Sequence, residues 1–179
     1  MQKKKFSTLD MTYVALFAVL ITLCAWVSIP TVPPFTLQTL GIMLAASLLG
    51  WKRGTAAVLI YILLGAVGLP VFAGFKGGLS ALVGPTGGYI IGFVFTALIT
   101  GLGRQKDVSW LLLVHMVLGV AVCYIFGTIW YVVIQLGMTN PTSFGTALGL
   151  CVIPFILPDL AKIVLAFFLT KRLSRFIRE

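Results

Sequence analysis

Residues 146–170 read TALGLCVIPFILPDLAKIVLAFFLT, and this apolar stretch contains only two charged side chains, Asp159 and Lys162. About 20 apolar residues in a helix are enough to cross the hydrocarbon core of a bilayer. Positions i and i+3 share a helix face, so the acid and the base point the same way. Ionisable side chains at membrane depth are costly and usually turn toward a partner, a cavity or a ligand. The stretch therefore predicts a transmembrane helix with a functional pair on its inner face.

The rest of the chain has the same apolar character. Its 179 residues are 60% hydrophobic and 9% charged, with a mean hydropathy of +1.11, whereas soluble domains average about 25% charged residues. The segments are apolar all round, which favours helices over the alternating strands of a membrane barrel. We expect an all-α integral membrane bundle of six transmembrane helices that forms a single domain over residues 1–179. The five other segments are residues 11–29, 37–50, 55–72, 88–103 and 108–136.

The basic residues predict the orientation of the bundle. Eleven of the 13 lie before the first segment, after the second, after the fourth and after the sixth. With six crossings these places fall on one side, and the positive-inside rule makes that side, with both termini, cytoplasmic. Because the net charge of +9 is explained in this way, it does not indicate nucleic-acid binding. The eleven are Lys3, Lys4, Lys5, Lys52, Arg53, Arg104, Lys106, Lys171, Arg172, Arg175 and Arg178; Lys76 and Lys162 remain unexplained by topology.

No motif in the chain indicates an enzyme or a cofactor site. The three cysteines each lie within an apolar segment without metal-ligand spacing, and we interpret them as small core residues. An intramembrane aspartyl protease needs two carboxylates that share a site. Asp10 and Asp107 fall at the cytoplasmic boundary, so Asp159 has no acidic partner. We therefore predict a non-enzyme that needs no metal and no cofactor.

The longest connection on the outer side reads AGFKGGLSALVGPTGG at residues 73–88. Glycines allow a backbone to approach a ligand closely, and their amides can cradle an anion, to which Lys76 would add a full charge. An ordinary extracellular turn fits the spacing equally well. Gln38 and Thr39 open the second segment on the same side. They are either polar pocket residues or an exposed helix start, and the sequence does not choose between these.

Three roles are open to Asp159 and Lys162. They could form a salt bridge within one helix, or Asp159 could belong to a proton relay, or the pair could bind a ligand with hydrogen-bond donors and acceptors. A relay needs a chain of partners, but His115 is the only histidine and lies on the cytoplasmic side of the fifth segment. Pro158 disrupts a backbone hydrogen bond beside the pair. We favour a binding site.

Two motifs together resemble the BioY family. They are GLPVFAGFKGGLSALVGPTGGYIIGF at residues 68–93 and PDLAK at residues 158–162, and the chain length and motif order also agree. BioY proteins are biotin-specific substrate-binding subunits (S components) of energy-coupling factor (ECF) transporters. The resemblance implies biotin capture from outside and delivery to the cytoplasm of a prokaryotic cell. It also implies a complex with a transmembrane coupling subunit and two cytoplasmic ATPase subunits.

The residue chemistry fits biotin. Its ureido ring offers two N–H donors and a carbonyl, which Asp159 and Lys162 can match, while Lys76 and the amides of Gly77 and Gly78 could hold the carboxylate. The inverse assignment, with Lys162 on the carboxylate, stays open. So do an S component for another vitamin, a proton-coupled small-solute transporter and a purely structural subunit. The complete predicted substrate-binding set is Gln38, Lys76, Gly77, Gly78, Thr86, Tyr89, Asp159 and Lys162.

Overall fold

The computed structural model describes residues 7–104, 110–136 and 142–177, and most of these residues are helical. Two two-residue strands, β1 (Ser28–Ile29) and β2 (Phe35–Thr36), pair antiparallel in the first connection, and a short 3-10 helix covers Ala73–Phe75. The predicted helical class is confirmed. The described helices are α1 (Thr8–Trp26), α2 (Gln38–Ala66), α3 (Leu79–Val83), α4 (Gly87–Leu102), α5 (Trp110–Gln135), α6 (Phe144–Cys151) and α7 (Ile153–Ile177).

Four of the described helices are long and apolar enough to cross a bilayer. They are α1, α2, α5 and the Ile153–Phe176 part of α7, and α4 is a shorter apolar helix. Large apolar side chains such as Leu63, Ile125 and Leu157 are exposed on their outer faces. Because lipid replaces water around these faces, the exposed apolar surface is expected. The chain is a multi-pass membrane protein. The sequence positions Lys3, Lys4, Lys5, Lys106, Asp107 and Arg178 lie outside the described residues.

Helix α2 folds back on itself at Gly50. This glycine has φ 82° and ψ 173°, a conformation that side chains with a Cβ avoid. Residues 38 and 61 would lie about 34 Å apart in a straight helix, yet Gln38 Nε2 donates to the Tyr61 hydroxyl at 2.5 Å. Residues 38–49 and 51–66 are therefore two antiparallel arms. We call them the α2 hairpin, and they correspond to the second and third apolar segments.

The sixth apolar segment is divided between two helices. We expected one crossing over residues 146–170, but α6 ends at Cys151 and α7 begins at Ile153. Val152 between them has φ −120° and ψ −57°. Pro154 follows in the first turn of α7, where the absence of an N–H is tolerated. Pro158 lies inside α7, which continues through it. The single apolar segment is therefore two helices, because the chain bends at Val152, before the prolines.

Small residues let the remaining helices pack closely around the α2 hairpin. A Cβ added at Gly54 would lie 2.5 Å from the Ala46 Cα, so the two arms touch backbone to backbone. Thr96 of α4 donates to the Gly119 carbonyl of α5 at 3.0 Å. At the turn of the hairpin, Arg53 pairs with Asp10 of α1 at 2.9 Å. This packing leaves a cavity at the opposite end of the bundle.

Candidate ligand-binding site

A cavity of about 390 Å³ lies at the end of the bundle where α1 ends and α4 and α7 begin. Its walls come from the connection that carries β1 and β2, from residues 72–76 and from α4, α5 and α7. Ligand sites for small molecules usually have volumes of about 300–1,000 Å³, with apolar walls and a few placed polar groups. The size and lining of the cavity therefore fit a small organic ligand.

Asp159 and Lys162 lie at the bottom of this cavity and are 4% and 6% exposed. Lys162 Nζ donates to Asp159 Oδ1 at 2.7 Å. Thr39 of the α2 hairpin donates to the same oxygen at 3.0 Å, and the hydroxyl of Tyr124 in α5 donates to Oδ2. We call these four residues the polar floor. The pair is therefore more than a salt bridge within α7, because two other helices converge on it.

The polar floor keeps unused hydrogen-bonding capacity. Asp159 has about four lone-pair sites, and an ammonium has three donors. Lys162 and Thr39 occupy Oδ1 and Tyr124 occupies one site on Oδ2, which leaves one site on Oδ2. For Lys162, Asp159 is the one hydrogen-bond acceptor recorded in the described part of the chain. Its Nζ also lies 4.3 Å from the centroid of the Phe35 ring. A ligand can therefore both donate to and accept from the floor.

Gln38 lines the cavity but is already engaged by its neighbours. Its Oε1 accepts from the Thr36 hydroxyl at 2.9 Å, and its Nε2 donates to Tyr61. The residue is 5% exposed. Because Thr36 belongs to β2 and Tyr61 to the second arm of the α2 hairpin, Gln38 ties the wall of the cavity to the bundle. It remains a predicted binding residue, because one of its two side-chain amide hydrogens has no hydrogen-bond acceptor among the described residues.

Lys76 lies at the rim of the cavity. Its side chain is exposed, and no hydrogen bond or ion pair with another described residue is found for its ammonium. Gly77 and Gly78 do not line the cavity. The Gly78 amide donates to the Gly65 carbonyl at 2.7 Å, so it is engaged within the protein here, and its contact with a ligand carboxylate stays a prediction. A Cβ on Gly77 would lie 2.3 Å from the Leu69 carbonyl oxygen, which makes this glycine a packing residue.

Thr86 and Tyr89 line the side formed by α4. The Tyr89 hydroxyl pairs with Thr128 of α5 at 3.0 Å, and its ring packs against Gly127, where a Cβ would lie 2.2 Å from a ring carbon. Tyr89 is thus held in one orientation. The cavity lining contains six of the eight predicted residues, namely Gln38, Lys76, Thr86, Tyr89, Asp159 and Lys162.

Tyr124 and the aromatic side chains around Lys162 are site residues that were not predicted from the sequence. The signal for Tyr124 was weak: a buried hydroxyl needs a hydrogen-bond partner, but α5 also contains Tyr131, and the sequence does not separate the two. Phe35 and Phe155 have ring centroids 5.9 Å apart, but an isolated Phe in an apolar chain carries no signal. Cys123 and Cys151 are buried, as expected of core residues, and they also line the cavity.

The fold and the cavity define a multi-pass membrane protein with a site for a small solute, and the polar floor lies buried at the bottom of that site. All residues from 1 to 179 match the BioY family, and the chain belongs to this family. It is 41% identical over 166 residues to the probable biotin transporter BioY of Pyrococcus horikoshii, covering 92% of this chain and 96% of that one. With the biotin transporter BioY of Thermotoga maritima the identity is 42% over 165 residues, covering 89% and 92%.

A solved structure shows the same architecture. The crystal structure of the S component for biotin from an ECF-type ABC transporter matches with a TM-score of 0.82 and 29% identity. The match covers 98% of this chain and 95% of that chain. The family resemblance inferred from the sequence is therefore confirmed, and the relatives carry names of transporters, not of enzymes.

Proposed function

We propose that this protein captures biotin and takes it up as the S component of an ECF-type transporter. The observation that carries this proposal is the polar floor at the bottom of a cavity of about 390 Å³, in a chain of the BioY family. The names of the relatives and of the matching crystal structure support the same ligand and the same role.

We place the ureido group of biotin on the polar floor. Asp159 and Lys162 neutralise each other across 2.7 Å, so a neutral ligand group with donors and an acceptor suits them. One ureido N–H would use the free site on Asp159 Oδ2, and the carbonyl would accept from Lys162. A carboxylate placed here would add a second negative charge beside buried Asp159, and like charges at close range are unfavourable. The valerate carboxylate therefore points to Lys76.

The remaining features of the proposal concern topology and partners. Six crossings with both termini in the cytoplasm would make each arm of the α2 hairpin a separate crossing. Lys52 and Arg53 at its turn would then face the cytoplasm. Lys171 and Arg172 near the end of α7 would lie on the same side. A transmembrane coupling subunit in a prokaryotic plasma membrane, together with two cytoplasmic ATPase subunits, would supply the energy for delivery. Residues 1–179 would form one substrate-binding domain.

Biotin is expected to raise the melting temperature of the detergent-purified protein, whereas other vitamins are not. A ligand at 100 times its Kd stabilises the state that binds it by about 2.7 kcal/mol. The measurement is thermal unfolding with biotin, riboflavin, thiamine and folate, each at the same concentration. Stabilisation by a different vitamin, with no shift by biotin, would assign the site to that vitamin and contradict the proposal.

Lys76→Ala is expected to weaken biotin binding by about tenfold while leaving the affinity for biotin amide within about twofold. A hydrogen bond to a charged group contributes about 1.5–3 kcal/mol, and solvent at the exposed rim reduces that value. Isothermal titration calorimetry in detergent with both ligands measures the difference. Lys171→Ala, which removes the same charge from the exposed end of α7, is the matched control. Equal losses for biotin and its amide would show that Lys76 does not hold the carboxylate.

A further inference from the structure

The segment that carries Lys76 is anchored to the α2 hairpin. We call residues 70–76 the rim segment. Phe72 is 3% exposed, its ring lies edge-on to Tyr61 with centroids 5.5 Å apart, and it fills the space above Gly65, where a Cβ would lie 2.0 Å from the ring. The Phe72 amide donates to the Lys76 carbonyl at 2.9 Å. The two ends of the turn are thus joined, and its base is fixed.

A second anchor reaches the rim segment from α1. The Trp26 Nε1 donates to the Pro70 carbonyl at 2.8 Å, and the Trp26 ring lies 5.0 Å from the Phe75 ring at an angle of 32°. Trp26 is the last residue of α1 and does not line the cavity. It therefore holds the start of the rim segment and also the residue directly before Lys76.

The backbone of the rim segment is strained beside the contact with Trp26. Phe75 has φ 58° and is the one non-glycine residue with positive φ in the described ranges. Bulky side chains rarely adopt this conformation, and such strain persists only where surrounding contacts enforce it. Gly74 before it has φ 68°. The two residues create the bend that directs Lys76, and the contact with Trp26 opposes relaxation of that bend.

We propose that Trp26 is a positioning residue for Lys76 and thereby sets the preference of the site for a ligand that carries a carboxylate. Trp26 itself touches no ligand; it acts through Pro70 and Phe75. A lysine ammonium is a point charge on a flexible stem, so its contribution depends on where the backbone places it. This inference rests on the proposed function, in which Lys76 meets the carboxylate. The competing explanation is that Trp26 only anchors α1 at the membrane interface.

A double-mutant cycle separates the two roles. Biotin and biotin amide are titrated against the full chain in detergent, as wild type and as Trp26→Ala, Lys76→Ala and the double variant. We expect Trp26→Ala to weaken biotin binding about fivefold and amide binding less than about twofold, since lost preorganisation affects only the carboxylate contact. In the Lys76→Ala background, Trp26→Ala should change neither affinity by more than about twofold. Trp51→Ala, an exposed tryptophan at the turn of the α2 hairpin, is the matched control.

The possible outcomes distinguish this inference from the proposed function. The positioning role would be overturned if Trp26→Ala weakened the binding of biotin and of biotin amide equally. It would also be overturned if Trp26→Ala still weakened biotin binding in the Lys76→Ala background. In either case, a selective loss of biotin affinity in Lys76→Ala would uphold the proposed function. A wild type that binds neither ligand would overturn both, whereas one that binds both equally would overturn the carboxylate contact and this inference but not biotin capture. Should Trp26→Ala fail to fold, Phe75→Gly removes the ring contact at a φ that glycine accepts. It should then show the same selective loss, and an unchanged biotin affinity would overturn the inference.

Discussion

Lys162→Ala is expected to weaken biotin binding by about 2–5 kcal/mol, the usual effect of truncating one partner of a buried charged contact. Lys162 is 6% exposed and pairs with Asp159 at 2.7 Å. Its removal takes away the donor for the ureido carbonyl and leaves Asp159 with Thr39 and Tyr124 as its donors. Asp159→Asn should have an effect of similar size, because an amide accepts less strongly and places N–H groups among existing donors. The loss corresponds to a factor of about 30 to several thousand in Kd.

Two controls make this result interpretable. A buried charge without its partner destabilises a protein by about 3–5 kcal/mol, so loss of binding must be distinguished from loss of folding. The Asp159→Asn, Lys162→Gln double variant leaves no unpaired charge and should fold while binding biotin weakly. Lys171→Ala lies on the same helix and should bind as the wild type does. Wild-type affinity in folded Lys162→Ala protein, measured by isothermal titration calorimetry, would remove the polar floor from the binding site.

Gly54→Val is expected to destabilise the folded protein by about 3 kcal/mol, at the upper end of the usual effect of overpacking. A Cβ at this position would lie 2.5 Å from the Ala46 Cα and 3.0 Å from the Ala46 amide nitrogen. Backbone atoms cannot rotate out of the way as a side chain can, so the two arms of the α2 hairpin must separate. Thermal unfolding in detergent should show a melting temperature lower by roughly 6–12 °C.

Gly149→Val is the matched control for this variant. Gly149 lies in α6, and nothing lies within 4 Å of a Cβ built there. The same side chain is added in open space, so the melting temperature should change by no more than about 2 °C. Equal melting temperatures for the two variants would contradict the close approach of the arms. A destabilised Gly54→Val protein should also bind biotin more weakly, because the Gln38–Tyr61 contact at the cavity wall depends on the same hairpin.

The helices could be predicted because the hydrophobicity of each residue is known from the sequence without any tertiary structure. Segments 37–50 and 55–72 were separable as apolar runs, and Lys52 and Arg53 marked the turn between them. The division of segment 146–170 into α6 and α7 could not be predicted in this way, because the run is apolar on both sides of the bend. Val152 is an ordinary apolar residue within an apolar run, so its identity does not mark the bend, and α6 and α7 each contact α5 on either side of it.

The site residues that could be predicted were those that stand out chemically. Asp159 and Lys162 are conspicuous in an apolar stretch, and Lys76 is a stray charge on the outer side. Thr39 and Tyr124 are 120 and 35 residues from Asp159, and a threonine or a tyrosine in a helix is too common to be singled out. The hydrogen bond of the Gly78 amide could not be read from the sequence for a related reason. A glycine amide is free or used according to its tertiary neighbours, and here Gly65 takes it.

The sequence by itself determined the membrane class, the family and the acid–base pair, because apolar runs, charges and a distinctive motif are readable residue by residue. Only the tertiary structure decided that Thr39 and Tyr124 complete the polar floor, that the Gly78 amide donates to Gly65 and that Trp26 reaches the segment carrying Lys76. Each of these depends on atoms from distant parts of the chain meeting within about 3–5 Å, and that proximity is created by packing around the α2 hairpin.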